Sequence, residues 1–156
     1  MAYQKLQVSQ GLAVIPSDTI LIPDVSTEAL TGTADFSVAG TLTDVGTTFL
    51  TDGISYEAIV YNTGAAIAYD VTTVTDNLNL ALSPSSAGGA ANAYVIYNAP
   101  TIGCVLYVGA AGSVKVKMAG GTEVTFAGVL AGSFLPAQVT QVFATGTTAT
   151  NIVALW

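Results

Sequence analysis

The sequence predicts an all-β protein, made of small β-sandwich or barrel units with a strand-rich insertion in the middle. Three observations predict it. Thr, Val, Ile, Tyr and Phe recur in short runs separated by Gly, Pro, Asn and Asp, the composition and punctuation of strands and turns. No window sustains the i, i+3, i+4, i+7 spacing of an amphipathic helix. Finally, 51% of residues are hydrophobic and 8% charged, against about 25% charged in an ordinary soluble domain, so burial can offset the ordering entropy and disorder is excluded.

Taken in order, residues 1–32 read as an apolar lead-in that pairs with the C-terminal unit. Strands are predicted at 11–15 and 19–22, where Gly11-Leu-Ala-Val-Ile-Pro16 and Thr19-Ile-Leu-Ile-Pro23 are apolar runs bracketed by prolines. Proline has no ladder N–H, so these runs suit edges or strand ends. Residues 33–99 read as an inserted β module, with strands at 36–42, 58–61, 67–75, 78–82 and 93–97 and at most one helical turn near 47–52. The loop Ser83-Pro-Ser-Ser-Ala-Gly-Gly89 and the turn Asn98-Ala-Pro100 close that module. Residues 100–156 form the C-terminal β unit, with strands at 104–108, 113–118, 123–126, 138–145 and 151–155.

One hairpin can be read to its register. Val114, Val116 and Met118 alternate with Lys115 and Lys117, and Val124 and Phe126 alternate with Glu123 and Thr125. A two-residue Gly120-Gly121 turn would set Val124 opposite Lys117. A three-residue loop, Gly120-Gly121-Thr122, keeps the apolar faces together by setting Met118 against Val124 and Val116 against Phe126, with Glu123 diagonal to Lys117.

Elsewhere the alternation is lost. Val153 and Leu155 lie on one face of the last strand, and Ile152, Ala154 and Trp156 on the other, so both faces are apolar. A strand apolar on both sides must be covered on both sides. The two lead-in runs have the same character. A neighbouring subunit is the expected second cover, which marks Leu12, Val14, Ile15, Ile20, Ile22, Ile152, Val153, Leu155 and Trp156 as the predicted oligomer or shell interface.

The absences remove most catalytic chemistry. Without histidine there is no Ser-His or Cys-His pair and no imidazole metal site. A single cysteine, Cys104, excludes an internal disulfide and a thiolate zinc cage, and its apolar run marks it as a small buried hydrophobe. Three lysines (Lys5, Lys115, Lys117), no arginine and a net charge of −7 offer no clustered cations for a phosphate backbone, so no nucleic-acid partner is expected. No run approaches the roughly 18 apolar residues of a membrane-spanning helix, and no membrane partner is expected. The first ten residues show no apolar signal core, so synthesis in a cytoplasm is expected.

Remaining polar residues read as structural. Asp18, Asp24, Asp35, Asp44, Asp52 and Asp76 sit beside Ser, Thr, Gly or Asn, where aspartates bond their own backbone in turns. Asp76-Asn-Leu-Asn79 fails the spacing of a calcium loop. Glu28, Glu57 and Glu123 read as solvated surface acids rather than a glycosidase pair. Tyr56, Tyr61, Tyr69, Tyr94, Tyr97 and Tyr107 would stack on sugars only if they lined an exposed groove; core or interface roles are expected. No enzyme activity, cofactor or metal is expected.

The C-terminal wording resembles a known family. Leu106-Tyr-Val-Gly109, Ser113-Val-Lys-Val116, Glu123-Val-Thr-Phe-Ala-Gly128, Phe134-Leu-Pro136, Val142-Phe-Ala-Thr-Gly-Thr-Thr-Ala149 and Ile152-Val-Ala-Leu-Trp156 resemble a family of tailed-phage structural proteins, which includes the head spike base proteins of gene transfer agents and related phages. The middle stretch, with Thr48-Phe-Leu-Thr-Asp-Gly53, Ile59-Val-Tyr-Asn62, Val71-Thr-Thr-Val74 and Leu78-Asn-Leu-Ala-Leu82, is similar to a small β module of marine and cyanobacterial phage virion proteins. It departs from that pattern at Tyr56-Glu57, where the module carries a Gly-Asp turn. The resemblance implies a non-enzymatic virion component on the capsid surface. A decoration protein of cement or spike-base type is expected, forming a trimer or pentamer with itself and binding the major capsid protein or another virion protein. The alternatives are a tail or fibre adaptor and a glycan- or receptor-binding module on the phage surface.

Overall fold

A computed structural model describes residues 8–85 and 87–156. The strands are, in chain order, β1 (Gly11–Ala13), β2 (Glu28–Phe36), β3 (Thr41–Thr43), β4 (Ile59–Asn62), β5 (Ile67–Val74) and β6 (Asn79–Ser83). They continue with β7 (Gly89–Tyr97), β8 (Cys104–Ala110), β9 (Gly112–Met118), β10 (Glu123–Val129), β11 (Ser133–Val142) and β12 (Thr150–Leu155). The class is all-β: among the described residues the one helical element is a single 3-10 turn at Val25–Thr27. Six strands close into an antiparallel barrel in the order β2-β3-β6-β5-β4-β7, and the other six form a sheet in the order β1-β12-β8-β11-β9-β10.

The barrel is filled by the inward residues of alternating strands. Phe36, Leu42, Val60, Tyr69, Leu80, Tyr94 and Ile96 meet there, and Phe49 enters from the loop after β3. The Phe36 ring lies 5.9 Å from Tyr69 and 6.2 Å from Tyr94, so three aromatics fix the centre. The C-terminal sheet builds a second core from Leu106, Val108, Val114, Val116, Val139, Val142, Ile152 and Ala154.

A third core joins the two units, and it explains the doubly apolar lead-in. Ile20 packs with Ile59, Tyr61, Ala68 and Tyr97 on the outside of the barrel, and Leu12, Ile15 and Leu21 add to the contact. On its other side the lead-in belongs to the C-terminal sheet. Val14 N–H donates to Ile152 O at 2.9 Å, Ser17 N–H to Val142 O at 2.9 Å, and Ile22 N–H to Thr140 O at 2.8 Å. On the barrel side the segment is covered by the chain's own Ile59, Tyr61 and Tyr97.

Several expected elements move, each for a local reason. The strand predicted at 19–22 is no ladder strand, because Ser17 Oγ takes the N–H groups of Thr19 and Ile20 and turns the chain. The strand predicted at 36–42 is a hairpin corner. Asp35 Oδ1 accepts from Ser37 N at 2.7 Å, Gly40 has φ +72°, and β2 instead runs upstream to Glu28. The boundary expected at residue 32 thus falls inside β2, where Gly32 pairs with Tyr94. At 47–52 a single turn forms, with Thr51 and Asp52 N–H both donating to Thr48 O. Strand β11 begins before Pro136 and absorbs the proline in a register shift between Leu135 and Val139.

The β9–β10 hairpin keeps the expected faces and the three-residue count, but its register slips by two. Val124 opposes Val116, Phe126 opposes Val114, and Glu123 opposes Lys117 directly. The loop is Ala119-Gly120-Gly121: Gly121 N–H donates to Met118 O, Met118 N–H to Thr122 O, and Gly121 takes φ +88°. Facial alternation fixes only the parity of a register; the positive φ demanded at the loop's third residue chose between the two options.

Candidate functional site

The C-terminal sheet has two faces, and among the described residues only one of them carries a core. Strand alternation sends Leu106, Val108, Ile152, Ala154 and Leu135 inward. Their neighbours Val105, Tyr107, Val153, Leu155 and Phe134 point to the opposite face, where Val105 is buried, Tyr107, Val153 and Leu155 are half-buried and Phe134 is exposed. The register then lines these residues up across strands. Ala13 pairs with Val153, Val153 with Tyr107, and Tyr107 with Phe134, so one row crosses β1, β12, β8 and β11. A second row runs Gly11, Leu155, Val105. The Tyr107 and Phe134 rings are 5.3 Å apart, and Phe134 keeps 54% of its surface exposed. None of Tyr107, Phe134, Val153 and Leu155 joins any of the three cores among the described residues.

The nine predicted interface residues divide by what covers them. Ile20, Ile22 and Ile152 are buried inside the chain, the first against the barrel and the other two in the C-terminal core. Leu12, Val14 and Ile15 are half-buried against those same cores. Trp156 packs on the C-terminal core, donates from Nε1 to Thr101 Oγ1 at 3.0 Å, and is latched by Ser9 N–H on its carbonyl at 2.7 Å. Val153 and Leu155 lie, half-buried, on the outer face of the sheet. Tyr107 and Phe134 were missed, although the run Cys104-Val-Leu-Tyr-Val108 is apolar on both faces in the same way as the last strand. Ile102, 91% exposed, lies beside Thr101, which holds Trp156.

Polar side chains are spent on loops. Asp24, Asp35, Asp44 and Asp76 each accept from a backbone N–H two residues on, and Asp52 reaches back to Thr48. Asp18 instead bridges elements, accepting from Thr145 N at 2.8 Å and Thr145 Oγ1 at 2.7 Å. Lys115 pairs with Glu123 at 3.1 Å and lies 4.4 Å over the Phe143 ring. No group of three or more His, Cys, Asp or Glu side chains suited to a metal occurs among the described residues.

Other candidate chemistry is weakly assembled. Cys104 donates to Val139 O, and burial pushes its thiol up to about 12, so it is no nucleophile at neutral pH. Among the described tyrosines, Tyr61, Tyr69, Tyr94 and Tyr97 are buried, Tyr107 is half-buried beside Phe134 and Tyr56 is 74% exposed, so they do not gather into one sugar-stacking groove. Tyr56, Glu57 and Asp70 line an open cleft of about 640 Å³ with Thr19, Leu21 and Pro100. Burial raises the Asp70 carboxyl there.

Compared with protein-family models, with curated proteins and with solved structures, the chain finds no match.

Proposed function

We propose that this chain is a non-enzymatic structural protein of a tailed-phage virion, a capsid decoration protein of cement or spike-base type that assembles with copies of itself and binds the shell. The observation that supports it is the apolar row Val153–Tyr107–Phe134, whose residues join none of the three cores among the described residues and of which Phe134 is exposed. Large contiguous apolar patches on a soluble protein mark interaction surfaces. The C-terminal resemblance to phage head proteins, carried partly by Phe134-Leu-Pro136 and Ile152-Val-Ala-Leu-Trp156, points the same way.

The mechanism is mechanical. Burying a large apolar side chain contributes about 1.5–3 kcal/mol when it starts fully exposed. These side chains are already partly covered, and association itself costs at least about 4 kcal/mol. One such contact is therefore weak. Closed symmetry repeats it three or five times and sets several shell contacts on one rigid ring, which converts modest contacts into firm attachment. The test is a reconstruction of virions carrying this chain. Symmetric density on the capsid at three-fold or five-fold positions is the expected result; density confined to the tail would replace the reading with the adaptor role.

A further inference from the structure

The charges of the chain are segregated between its two units. The barrel span Glu28–Tyr97 carries seven carboxylates (Glu28, Asp35, Asp44, Asp52, Glu57, Asp70 and Asp76) and neither lysine nor arginine. From residue 100 onward the only charged side chains are Lys115, Lys117 and Glu123. Lys115 and Glu123 neutralise each other as an ion pair. With Asp18, which is bonded to Thr145, counted beside Lys115, Lys117 and Glu123, the outer apolar row sits on a unit of balanced charge, tethered to a strongly acidic one.

We infer that the occupant of this row is the C-terminal sheet of a second copy, so that subunits meet sheet unit to sheet unit while their barrels project apart. The inference rests on the assembly reading above and adds which surfaces meet. Two barrels brought together place like charges within a Debye length, about 10 Å at 0.1 M salt, with no lysine or arginine in either barrel span. Two C-terminal units brought together bury apolar surface with almost no charge to desolvate. The rival geometry sets the sheet of one copy on the barrel of the next. Among the described residues its electrostatic support would rest on Lys117, since Lys115 is already held by Glu123 and by the Phe143 ring.

The two geometries respond to salt with opposite sign. If barrels repel, screening tightens assembly; if Lys117 of one copy grips the barrel of another, screening loosens it. The experiment is sedimentation equilibrium of the full chain at about 20 mM and about 500 mM NaCl, where barrel repulsion predicts roughly tenfold tighter association at the higher salt. Glu28→Gln, Glu57→Gln and Asp70→Asn combined should tighten assembly at low salt and remove most of that dependence. Lys117→Gln should change nothing. Phe134→Asp should abolish assembly while leaving the circular dichroism spectrum intact, and Phe134→Ser serves if the charged variant does not fold. Association that weakens with salt, that loosens in Lys117→Gln, or that survives both Phe134 variants overturns the sheet-to-sheet contact and leaves the assembly reading standing. A chain that stays monomeric at both salt concentrations overturns both.

Discussion

At the scale of single residues, the chemistry of this protein goes into holding its loops. Tyr94 donates to Asp44 Oδ2 at 2.8 Å at one end of the barrel, and Gly46 N–H takes Oδ1 at 2.8 Å. Burial first, and then the Asp44 carboxylate, pushes the Tyr94 phenol far up, so it stays a donor at any working pH. Removing that hydroxyl leaves a buried carboxylate oxygen unmet; Tyr94→Phe should cost about 1–3 kcal/mol in chemical denaturation, and an unchanged midpoint would contradict the pair's role. The surface aspartates predict the acid limb of stability. The Thr145 hydroxyl holds Asp18 below the usual carboxylate range, the Ser37 hydroxyl does so for Asp35, and the Leu78 N–H for Asp76. A carboxyl lowered in the folded state stabilises above its unfolded value and loses that contribution as pH falls through the folded one. Asp70, raised by burial, acts in the opposite sense, because protonation relieves its penalty. Thermal midpoints should therefore fall as pH drops below about 4, and Asp70→Asn should raise the midpoint at neutral pH.

At the scale of elements, alternation and punctuation were legible and long-range cover was not. Val114, Val116, Val124 and Phe126 announced their shared face, yet the register needed the loop's backbone. Gly121 supplies φ +88° with open space around it, and Gly120 has equal space without the positive φ. Gly121→Ala should thus cost about 1–2 kcal/mol in thermal unfolding and Gly120→Ala almost nothing; equal effects would mean that the loop is not built this way. The start of β2 was hidden because Leu30-Thr-Gly-Thr33 shows little hydrophobic alternation. The lead-in was the most instructive case. Its two apolar faces were visible in Ile15, Ile20 and Ile22, but a sequence does not say which surface arrives to cover them. Here it is the outside of the barrel, through Ile59, Tyr61 and Tyr97. Ile20→Ala should cost about 2–4 kcal/mol and expose the lead-in to limited proteolysis. Retained stability and unchanged protease resistance would remove Ile20 from the joint.

At the scale of the whole molecule, a chain with 8% charged residues concentrates its carboxylates on the barrel span, with seven of the ten between Glu28 and Tyr97. The all-β class and the two-sided nature of the last strand could be read from the sequence. The candidate surface could be read only in part: Val153 and Leu155 lie on the outer face as expected, whereas Trp156 and Ile152 pack on the chain's own C-terminal core. Tyr107 and Phe134 come into one row only through the pairing of β8 with β11, which no local pattern specifies. This arrangement also changes how the surface is best probed. Strand β12 lies between β1 and β8 and carries buried Ile152 and Ala154, so deleting it would break the core as well as any contact. Point changes on the outer row avoid that problem. The most direct measurement is light scattering of the purified chain at micromolar concentration, side by side with a Val153→Asp, Phe134→Asp double variant whose thermal unfolding is also recorded. A closed oligomer for the native sequence and a folded monomer for the variant is the predicted result. A native chain that remains monomeric, or a variant that assembles as before, would contradict it.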